Sequence, residues 1–164
     1  MKLINHTTAD HLIEWARRML GGSPPPVQSA VLAWRMGEKG PEILLITSLE
    51  TGRWIVPKGW PEADETLAAS AEREAFEEAG IRGRVSQTPI GTYHYSKASA
   101  SGLERRCEVQ VFAMEVDEAE KRWPEKHQRD RRWLAPGDAA KRVLEPALAE
   151  MIAGFRVNPR KSAA

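Results

Sequence analysis

A helix that carries three carboxylates on one side, set between two glycines, is the feature that most constrains how this chain folds. The stretch from Gly59 to Ile81 reads GWPEADETLAASAEREAFEEAGI, and its helical pattern begins near Glu65. At about 100° per residue, Glu74, Glu77 and Glu78 fall within an arc of roughly 100°. Four alanines form a small apolar stripe beside them: Ala68, Ala71, Ala75 and Ala79. The sequence predicts a helix that packs through its alanines and presents carboxylates on an adjacent face.

Like charges at this spacing make the helix electrostatically unfavourable on its own. Glu74 and Glu78 lie one helical turn apart, which costs roughly a few tenths of a kcal/mol, and Arg73 paired with Glu77 offsets only part of that. Glu77 and Glu78 also lie in the last turn, where the helix dipole favours cations. Oxygen-only ligands suit a hard divalent cation that shares substrate phosphate oxygens. We therefore predict bound Mg²⁺, with Mn²⁺ as its substitute, and a small-molecule phosphoanhydride substrate.

The segments around the helix have the pattern of β-strands. VQSAVLAWRM and EILLITSL flank GEKGP and predict a β-hairpin with Gly37 and Gly40 in its connection. RWIVPKG predicts one short strand closed by Pro57, and further strands are predicted at IRGRVSQ, IGTYHYS and CEVQVFAMEV. This order of elements predicts an α/β or α+β domain with a mixed β-sheet flanked by helices.

The two ends of the chain and one charged stretch have weaker patterns. A helical pattern followed by GGSPPP predicts an N-terminal helical appendage and a Pro-rich linker over residues 1–26. DEAEKRWPEKHQRDRRWLAP predicts a charged loop in which Trp133 is anchored in the core, and one helical pattern covers Ala139 to Phe155. A basic tail over residues 158–164 follows the predicted domain, which spans residues 27–157.

Composition excludes several classes of protein. Hydrophobic residues make up 41% of the chain and charged residues 29%, and the formal net charge is +1, as in an ordinary soluble globular protein. No apolar run reaches about 18 residues and the N-terminal stretch lacks a secretory signal, so we expect a cytoplasmic protein without a membrane partner. The near-neutral charge argues against nucleic acid as a partner. Cys107 is the single cysteine, which excludes an internal disulfide and favours a small buried side chain.

Seven residues stand at fixed intervals around the acidic helix: Gly59, Glu65, Arg73, Glu74, Glu77, Glu78 and Gly80. With the apolar Ile81 behind them, they resemble the Nudix box, the signature of the Nudix hydrolases. Ala75 departs from that pattern, which usually has a bulkier aliphatic residue there. The resemblance implies a Nudix-like α/β/α sandwich, in which a mixed β-sheet is flanked by helices, and a Nudix hydrolase domain over residues 27–157.

The resemblance also implies a role for each matching residue. Glu74 and Glu78 would be the main Mg²⁺ ligands, and Glu77 a further ligand or the general base. Arg73 would orient a glutamate, and Gly59 would shape the loop that leads into the helix. The implied reaction is hydrolysis of a phosphoanhydride by metal-activated water, with Arg73, Glu74 and Glu77 as catalytic residues. Some members take the base from a later loop, which leaves three further candidates: Glu104, Glu108 and Glu115.

The stretch directly before the box, TGRWIVPKGWPE, has a narrower resemblance. It is similar to the version in diphosphoinositol polyphosphate phosphohydrolases and their bacterial relatives, some of which also cleave diadenosine polyphosphates. In that subgroup lysine and arginine face a densely phosphorylated ligand, so Arg53, Lys58 and Arg35, together with Gly59, are expected to bind substrate. Trp60 stands where the subgroup usually has a second glycine. We expect a Mg²⁺-dependent pyrophosphohydrolase acting on diphosphoinositol polyphosphates, dinucleoside polyphosphates or both.

The sequence is also compatible with different functions. Two related enzyme activities are possible: hydrolysis of ADP-ribose or nucleotide sugars, and removal of pyrophosphate from RNA 5′ ends. A function of a different class is a non-catalytic Nudix-like ligand sensor, which would bind its ligand without turnover. Tyr93 and Tyr95 either stack on a base or pack within the sheet. A second basic cluster is either a phosphate patch or part of the charged loop: Arg129, Arg131 and Arg132. A homodimer is also left open.

Overall fold

The computed structural model describes residues 25–98 and 104–157. The predicted N-terminal helix and the basic tail lie outside these residues, so the predicted domain boundaries stay predictions. The described residues form eight strands and three helices: β1 (Val27–Gly37), β2 (Gly40–Thr47), β3 (Trp54–Ile55), β4 (Lys58–Gly59), α1 (Leu67–Ala79), β5 (Ile81–Val85), β6 (Gly91–Ala98), β7 (Glu104–Ala119), β8 (Arg131–Leu134), α2 (Pro136–Ala140) and α3 (Pro146–Gly154). None of these helices is both long and apolar enough to cross a bilayer.

The strands form one mixed sheet whose central path runs β3-β2-β1-β7-β5. Strands β1 and β7 pair in parallel, whereas β1 and β2 form the predicted antiparallel hairpin. Three strands lie off this path, since β4 pairs with β1, β6 with β7 and β8 with β2. The short strand β4 is thus paired with the central strand β1, and it is the last strand before helix α1 in the chain.

Two hydrophobic cores cover the two faces of the sheet. Along β1, Ala30 and Leu32 belong to the core that contains residues of α2 and α3, and Val31 and Ala33 belong to the core that contains α1. This alternation follows from the period of two in a strand, because successive side chains point to opposite faces. The result is a helix layer on each side of the sheet, and the predicted α/β/α sandwich is confirmed.

Helix α1 is held at a fixed height above the sheet by its small side chains. The four alanines of the stripe all belong to the α1-side core, and Ala71, Ala75 and Ala79 are fully buried. At the start of the helix the hydroxyl of Thr66 accepts a hydrogen bond from the backbone N–H of Ala69 at 3.2 Å. The predicted packing through alanine is therefore observed, and it places the Glu78 carboxylate within hydrogen-bond distance of the Lys58 backbone N–H in β4.

The end of α1 requires glycine. Gly80 has φ 62° and ψ 37°, the left-handed conformation of a helix C-cap. Its backbone N–H donates to the carbonyl of Phe76 at 2.9 Å, and a Cβ at this position would lie 2.7 Å from ring atoms of Trp123. Both the backbone conformation and the packing of Trp123 thus depend on the absence of a side chain at Gly80.

The structure differs from the sequence predictions in three places. RWIVPKG forms two short strands with different partners, β3 on β2 and β4 on β1, because Pro57 interrupts the ladder. The predicted charged loop contains β8, in which Trp133 pairs with Leu44 of β2. The predicted last helix is two helices, since the chain turns after α2 and Pro146 begins α3, where a missing N–H costs no helical hydrogen bond.

Candidate active site

A cleft of about 880 Å³ opens beside helix α1. We call one part of its lining the helix side: Gly59, Trp60, Glu62, Arg73, Glu74, Glu78 and Arg129. We call a second part the loop side: Ser48, Leu49, Glu50, Thr51, Arg53, Leu144, Glu145 and Pro146. Between them the lining includes sheet residues: Gln28, Ile55, Lys58, His94, Tyr95 and Ser96. The cleft therefore combines the acidic helix with basic and apolar groups from distant parts of the chain.

Arg73 joins the helix to the loop that precedes it. Its guanidinium donates to both carboxylate oxygens of Glu65 at 3.1 Å, to Glu74 at 2.8 Å and to Glu77 at 3.1 Å. It also donates to the backbone carbonyl of Trp60 at 3.0 Å. The hydrogen bond to Glu65 raises the pKa of Arg73 and lowers the pKa of Glu65, so both groups stay charged. An orienting function of Arg73 stays a prediction, and these contacts are the ones through which it would act.

The carboxylate of Glu74 lies directly against Gly59. A Cβ at Gly59 would come within 2.1 Å of Cδ and Oε1 of Glu74, so the absence of a side chain leaves the space that this carboxylate occupies. Burial raises the pKa of Glu74, while the hydrogen bond from Arg73 lowers it and the nearby charge of Glu77 raises it. A side chain at position 59 would therefore overlap the Glu74 carboxylate, which is a steric reason for glycine at this position.

Glu78 is the most buried carboxylate of the helix side, with 8% of its side chain exposed. Oε2 accepts a hydrogen bond from the backbone N–H of Lys58 at 2.9 Å, and Oε1 accepts one from the guanidinium of Arg129. Burial raises the pKa of Glu78 to about 7, although the hydrogen bond from Lys58 and the charge of Arg129 both favour the carboxylate; the charge of Glu74 adds to the rise. A buried anion here is thus only partly compensated.

Glu77 has a different environment from its two neighbours. Its side chain is 42% exposed, one oxygen accepts from Arg73 at 3.1 Å, and it does not contribute to the lining of the cleft. Glu74 and Glu78 do line the cleft. The structure therefore brings two of the three predicted carboxylates to the cleft and holds the third beside them through Arg73.

The predicted substrate-binding residues divide into two groups. Arg53 and Lys58 line the cleft with Gly59, and the ammonium of Lys58 lies 4.8 Å from the centre of the Tyr95 ring. Arg35 is elsewhere: its guanidinium pairs with Glu42 at 2.8 Å and lies outside this cleft. Substrate binding by Arg35 therefore stays a prediction that the geometry of the cleft does not support.

Two charged residues of the cleft have ion-pair partners that the sequence analysis did not predict. Arg129 is 7% exposed and contacts Glu78, Glu125 and the carbonyl of Thr47, so it is an internal partner of the acidic helix and not part of a surface patch. Glu145 accepts a hydrogen bond from Arg53 at 2.6 Å although the two residues are 92 positions apart. No local pattern identifies these partners, because the contacts exist only in the folded chain.

Arg131 and the two tyrosines of β6 have clearly different surroundings. Arg131 donates to the carbonyl of Ala79 at 2.6 Å at the end of α1, which is a helix-capping contact. Tyr93 is buried in the core, whereas Tyr95 lines the cleft and donates its hydroxyl proton to Gln28 at 2.7 Å. Ordinary packing thus describes Tyr93, and a substrate contact is available only to Tyr95.

The three glutamates considered as a base from a later loop also lie apart from one another. Glu108 is 3.6 Å from the ring of His94, which lines the cleft, whereas Glu115 pairs with the exposed Arg84 at 2.7 Å. The side chain of Glu104 lies outside the described part of the chain. None of the three is in the lining of the cleft that the structure describes.

The residues of the helix side fit a divalent cation by their chemistry. Within residues 25–98 and 104–157 no three His, Cys, Asp or Glu side chains converge as a ready cluster of ligands. Glu74 and Glu78 nevertheless provide oxygen ligands of the kind that Mg²⁺ and Mn²⁺ prefer, and burial raises the pKa of both. A cation beside them would stabilise their charged forms.

Comparison with known proteins agrees with this fold. The model of the NUDIX domain family matches residues 26–155, and this chain belongs to that family. The resemblance seen in the sequence is thereby confirmed. The crystal structure of a Caenorhabditis elegans Ap4A hydrolase superposes with a TM-score of 0.60 at 20% identity, over 79% of this chain and 94% of that one, which shows the shared fold.

Curated relatives are more similar in sequence but longer. Nudix hydrolase 12 of Arabidopsis thaliana, named as mitochondrial, is 36% identical over 101 residues, which cover 60% of this chain and 50% of the relative. Diphosphoinositol polyphosphate phosphohydrolase 3-beta of Bos taurus is 32% identical over 117 residues, 70% of this chain and 66% of the relative. The chain thus spans between about half and two thirds of the length of these two relatives.

Proposed function

We propose that this protein is a divalent-metal-dependent pyrophosphohydrolase that cleaves a phosphoanhydride bond in a small molecule. Membership of the NUDIX domain family and the names of its relatives support this class of reaction. The proposed substrates are diphosphoinositol polyphosphates, dinucleoside polyphosphates or both, as the similarity to a diphosphoinositol polyphosphate phosphohydrolase supports. Mg²⁺ is the proposed cofactor and Mn²⁺ its substitute.

The observation that carries the proposal is the position of Glu74 and Glu78 in one cleft with Lys58 and Arg53. Two partly buried carboxylates with raised pKa lie next to cationic side chains suited to phosphate. The cleft therefore has groups that bind opposite charges, because the carboxylates favour a metal ion and the cationic side chains favour an anion. A metal-bound polyphosphate satisfies both.

In the proposed reaction Glu74 and Glu78 hold the cation, and Arg53 and Lys58 position the phosphate chain. When bound, the cation neutralises phosphate charge and makes the attacking water more acidic. Arg73 keeps the Glu74 and Glu77 carboxylates oriented through its hydrogen bonds of 2.8 and 3.1 Å. Glu77 is the proposed further ligand or proton acceptor, since it lies beside Glu74 on the same arc and retains an exposed side chain.

The test is a turnover assay of the purified protein with Mg²⁺, with Mn²⁺ and with excess chelator. The substrates are diadenosine pentaphosphate, a diphosphoinositol polyphosphate, ADP-ribose and a 5′-triphosphorylated RNA, and ion exchange resolves the products. We expect metal-dependent release of phosphate-containing products from one or both of the first two. Turnover of only ADP-ribose or RNA would reject the proposed substrates, and binding without any turnover would instead favour a ligand sensor.

A further inference from the structure

Two arginines carry positive charge on the helix side of the cleft, and each serves more than one carboxylate. Arg73 donates to three glutamates, and Arg129 donates to Glu78 and Glu125. Negative charge is therefore in excess around the proposed metal ligands. Arg129 is the more buried of the two arginines, with 7% of its side chain exposed against 22% for Arg73. A guanidinium buried in this position affects the charge balance that a bound cation would meet.

Arg129 has three partners, each bound by a different nitrogen of its guanidinium. Nη2 donates to Oε1 of Glu78, Nε donates to Oε2 of Glu125 at 2.5 Å, and Nη1 donates to the backbone carbonyl of Thr47 at 3.0 Å. Arg129 lines the cleft together with Glu78, whereas Glu125 is not part of that lining. The guanidinium therefore bridges a carboxylate of the cleft and a carboxylate outside its lining.

Glu78 has a hydrogen bond on each of its carboxylate oxygens. Oε2 accepts from the backbone N–H of Lys58 at 2.9 Å, and Oε1 accepts from the side chain of Arg129. Glu74, in contrast, accepts from Arg73 through Oε1 at 2.8 Å, and its Oε2 has no such bond among the described residues. A cation that binds Oε1 of Glu78 would meet the positive charge of Arg129 on the same oxygen, and like charges repel strongly in a buried environment.

The other two partners of Arg129 remain when its contact with Glu78 is lost. Glu125 supplies a negative charge and the Thr47 carbonyl a second acceptor, so the buried guanidinium stays paired. Glu125 is itself held by the fold, because its backbone N–H donates to the carbonyl of Glu77 in the last turn of α1 at 3.1 Å. An exchange of partner at Glu78 therefore leaves neither the carboxylate nor the guanidinium buried without an opposite charge.

We propose that Arg129 compensates the charge of Glu78 in place of the divalent cation, and that Glu125 retains Arg129 when the cation binds Glu78. The proposal rests on the metal-dependent function proposed above. Its consequence is that Arg129 stabilises the protein without metal and at the same time lowers the affinity of the cleft for the cation. Glu125 is a positioning residue, since it acts on Glu78 through Arg129.

The test measures cation binding without substrate, so it does not depend on hydrolysis. The protein is titrated with Mn²⁺, whose free concentration is read from its electron paramagnetic resonance signal, and urea denaturation without metal gives the stability. Arg129→Met should bind Mn²⁺ about tenfold more tightly than the wild type although its unfolding midpoint falls. An arginine with a merely structural role would lose affinity and stability together. Arg129→Lys keeps a positive charge beside Glu78, so its affinity should stay close to that of the wild type.

The function of Glu125 is tested with Glu125→Gln, alone and combined with Arg129→Met. Without the charge of Glu125, Arg129 has Glu78 as its one anionic partner, so Mn²⁺ should bind about tenfold more weakly than to the wild type. In the Arg129→Met background the same change should alter the affinity by less than about twofold, which closes a double-mutant cycle. An equal loss in both backgrounds would show that Glu125 acts on the cation directly and would overturn its positioning role. Glu125→Gln alone tests the proposal if Arg129→Met does not fold.

Glu42→Gln and Arg84→Met are the matched controls, because each breaks an ion pair outside the cleft. Both should leave the Mn²⁺ affinity unchanged. Unchanged or weaker binding in Arg129→Met overturns the exchange of partners, and if Glu78→Gln then still abolishes Mn²⁺ binding, the metal-dependent function stands without it. If the predicted affinities appear while no phosphoanhydride is cleaved, the exchange stands and the hydrolase proposal fails.

Discussion

The carboxylates on the helix side and on the loop side of the cleft differ in how they are paired with arginine. On the helix side, arginine holds each carboxylate of the box: Arg73 contacts Glu74 and Glu77, and Arg129 contacts Glu78. On the loop side, Glu145 has one oxygen paired with Arg53 and the other unpaired among the described residues, beside an exposed Leu144. The two sides therefore differ in how fully the charge of their carboxylates is compensated by neighbouring cations.

The two sides also differ in what a substitution removes. A change on the helix side alters a network in which each arginine is shared between several carboxylates, so its effect spreads to all of them. On the loop side, a change at Glu145 alters its ion pair with Arg53. Substitutions on the helix side test this contrast, and their expected effects decrease from Glu78 to Arg129 to Gly59.

The largest effect is expected for Glu78→Gln. Loss of the negative charge removes a proposed metal ligand while the amide oxygen still accepts from Lys58, so we expect kcat/KM to fall roughly a thousandfold with the fold retained. Steady-state kinetics with Mg²⁺ and circular dichroism measure the two quantities. The control is Glu72→Gln, on the exposed face of the same helix, which should keep full activity. Equal activity of the two variants would contradict the metal site.

A smaller effect, on stability, is expected for Arg129→Met. The Arg129 side chain is 7% exposed, and its loss leaves Glu78 buried without its cation, so the free energy of unfolding should fall by about 3 kcal/mol. Urea denaturation without metal measures this change, and added Mg²⁺ should restore part of it.

The matched control for Arg129 is Arg84→Met, which removes an ion pair between Arg84 and Glu115 at the surface. The Arg84 side chain is 53% exposed, so the expected loss is below about 1 kcal/mol. If the two arginine variants lost the same stability, the helix side would not depend on Arg129 for charge compensation.

The smallest of the three effects is expected for Gly59→Ala. The added methyl group would come within 2.1 Å of the Glu74 carboxylate and displace it, so kcat/KM should fall by about tenfold while the protein stays folded. Gly137→Ala is the control, because a Cβ there meets no atom within 4 Å. A Gly59→Ala enzyme with wild-type kinetics would show that the position of Glu74 does not matter for turnover.

Much of the helix and its site was predictable because the determining interactions are local in sequence. The stripe of Ala71, Ala75 and Ala79 follows from helical periodicity, and all three are fully buried as that stripe requires. Glu74 and Glu78 share the predicted arc and reach the cleft together. The β1–β2 hairpin was likewise visible as two apolar runs around a glycine-containing turn.

Other features could not be read from local patterns. Strand β8 lies in a stretch so charged that it reads as a loop, yet pairing with β2 satisfies its backbone and buries part of Trp133. Strand β8 is thus a case in which tertiary pairing outweighed local propensity. The division between α2 and α3 is different, because Pro146 is a local signal for a helix start that the prediction of one continuous helix did not use.

The sequence by itself determined the family, the acidic helix and the residues proposed to carry its chemistry, since their spacing is a property of a single helix and the loop before it. The tertiary structure alone decided which cations and ligand-binding groups meet that helix. Arg129 reaches Glu78 across 51 positions and Arg53 reaches Glu145 across 92, and no periodic pattern links residues so far apart. Their contacts exist only because the sheet brings distant loops to the same edge, where burial makes an unpaired charge costly and a paired one stable.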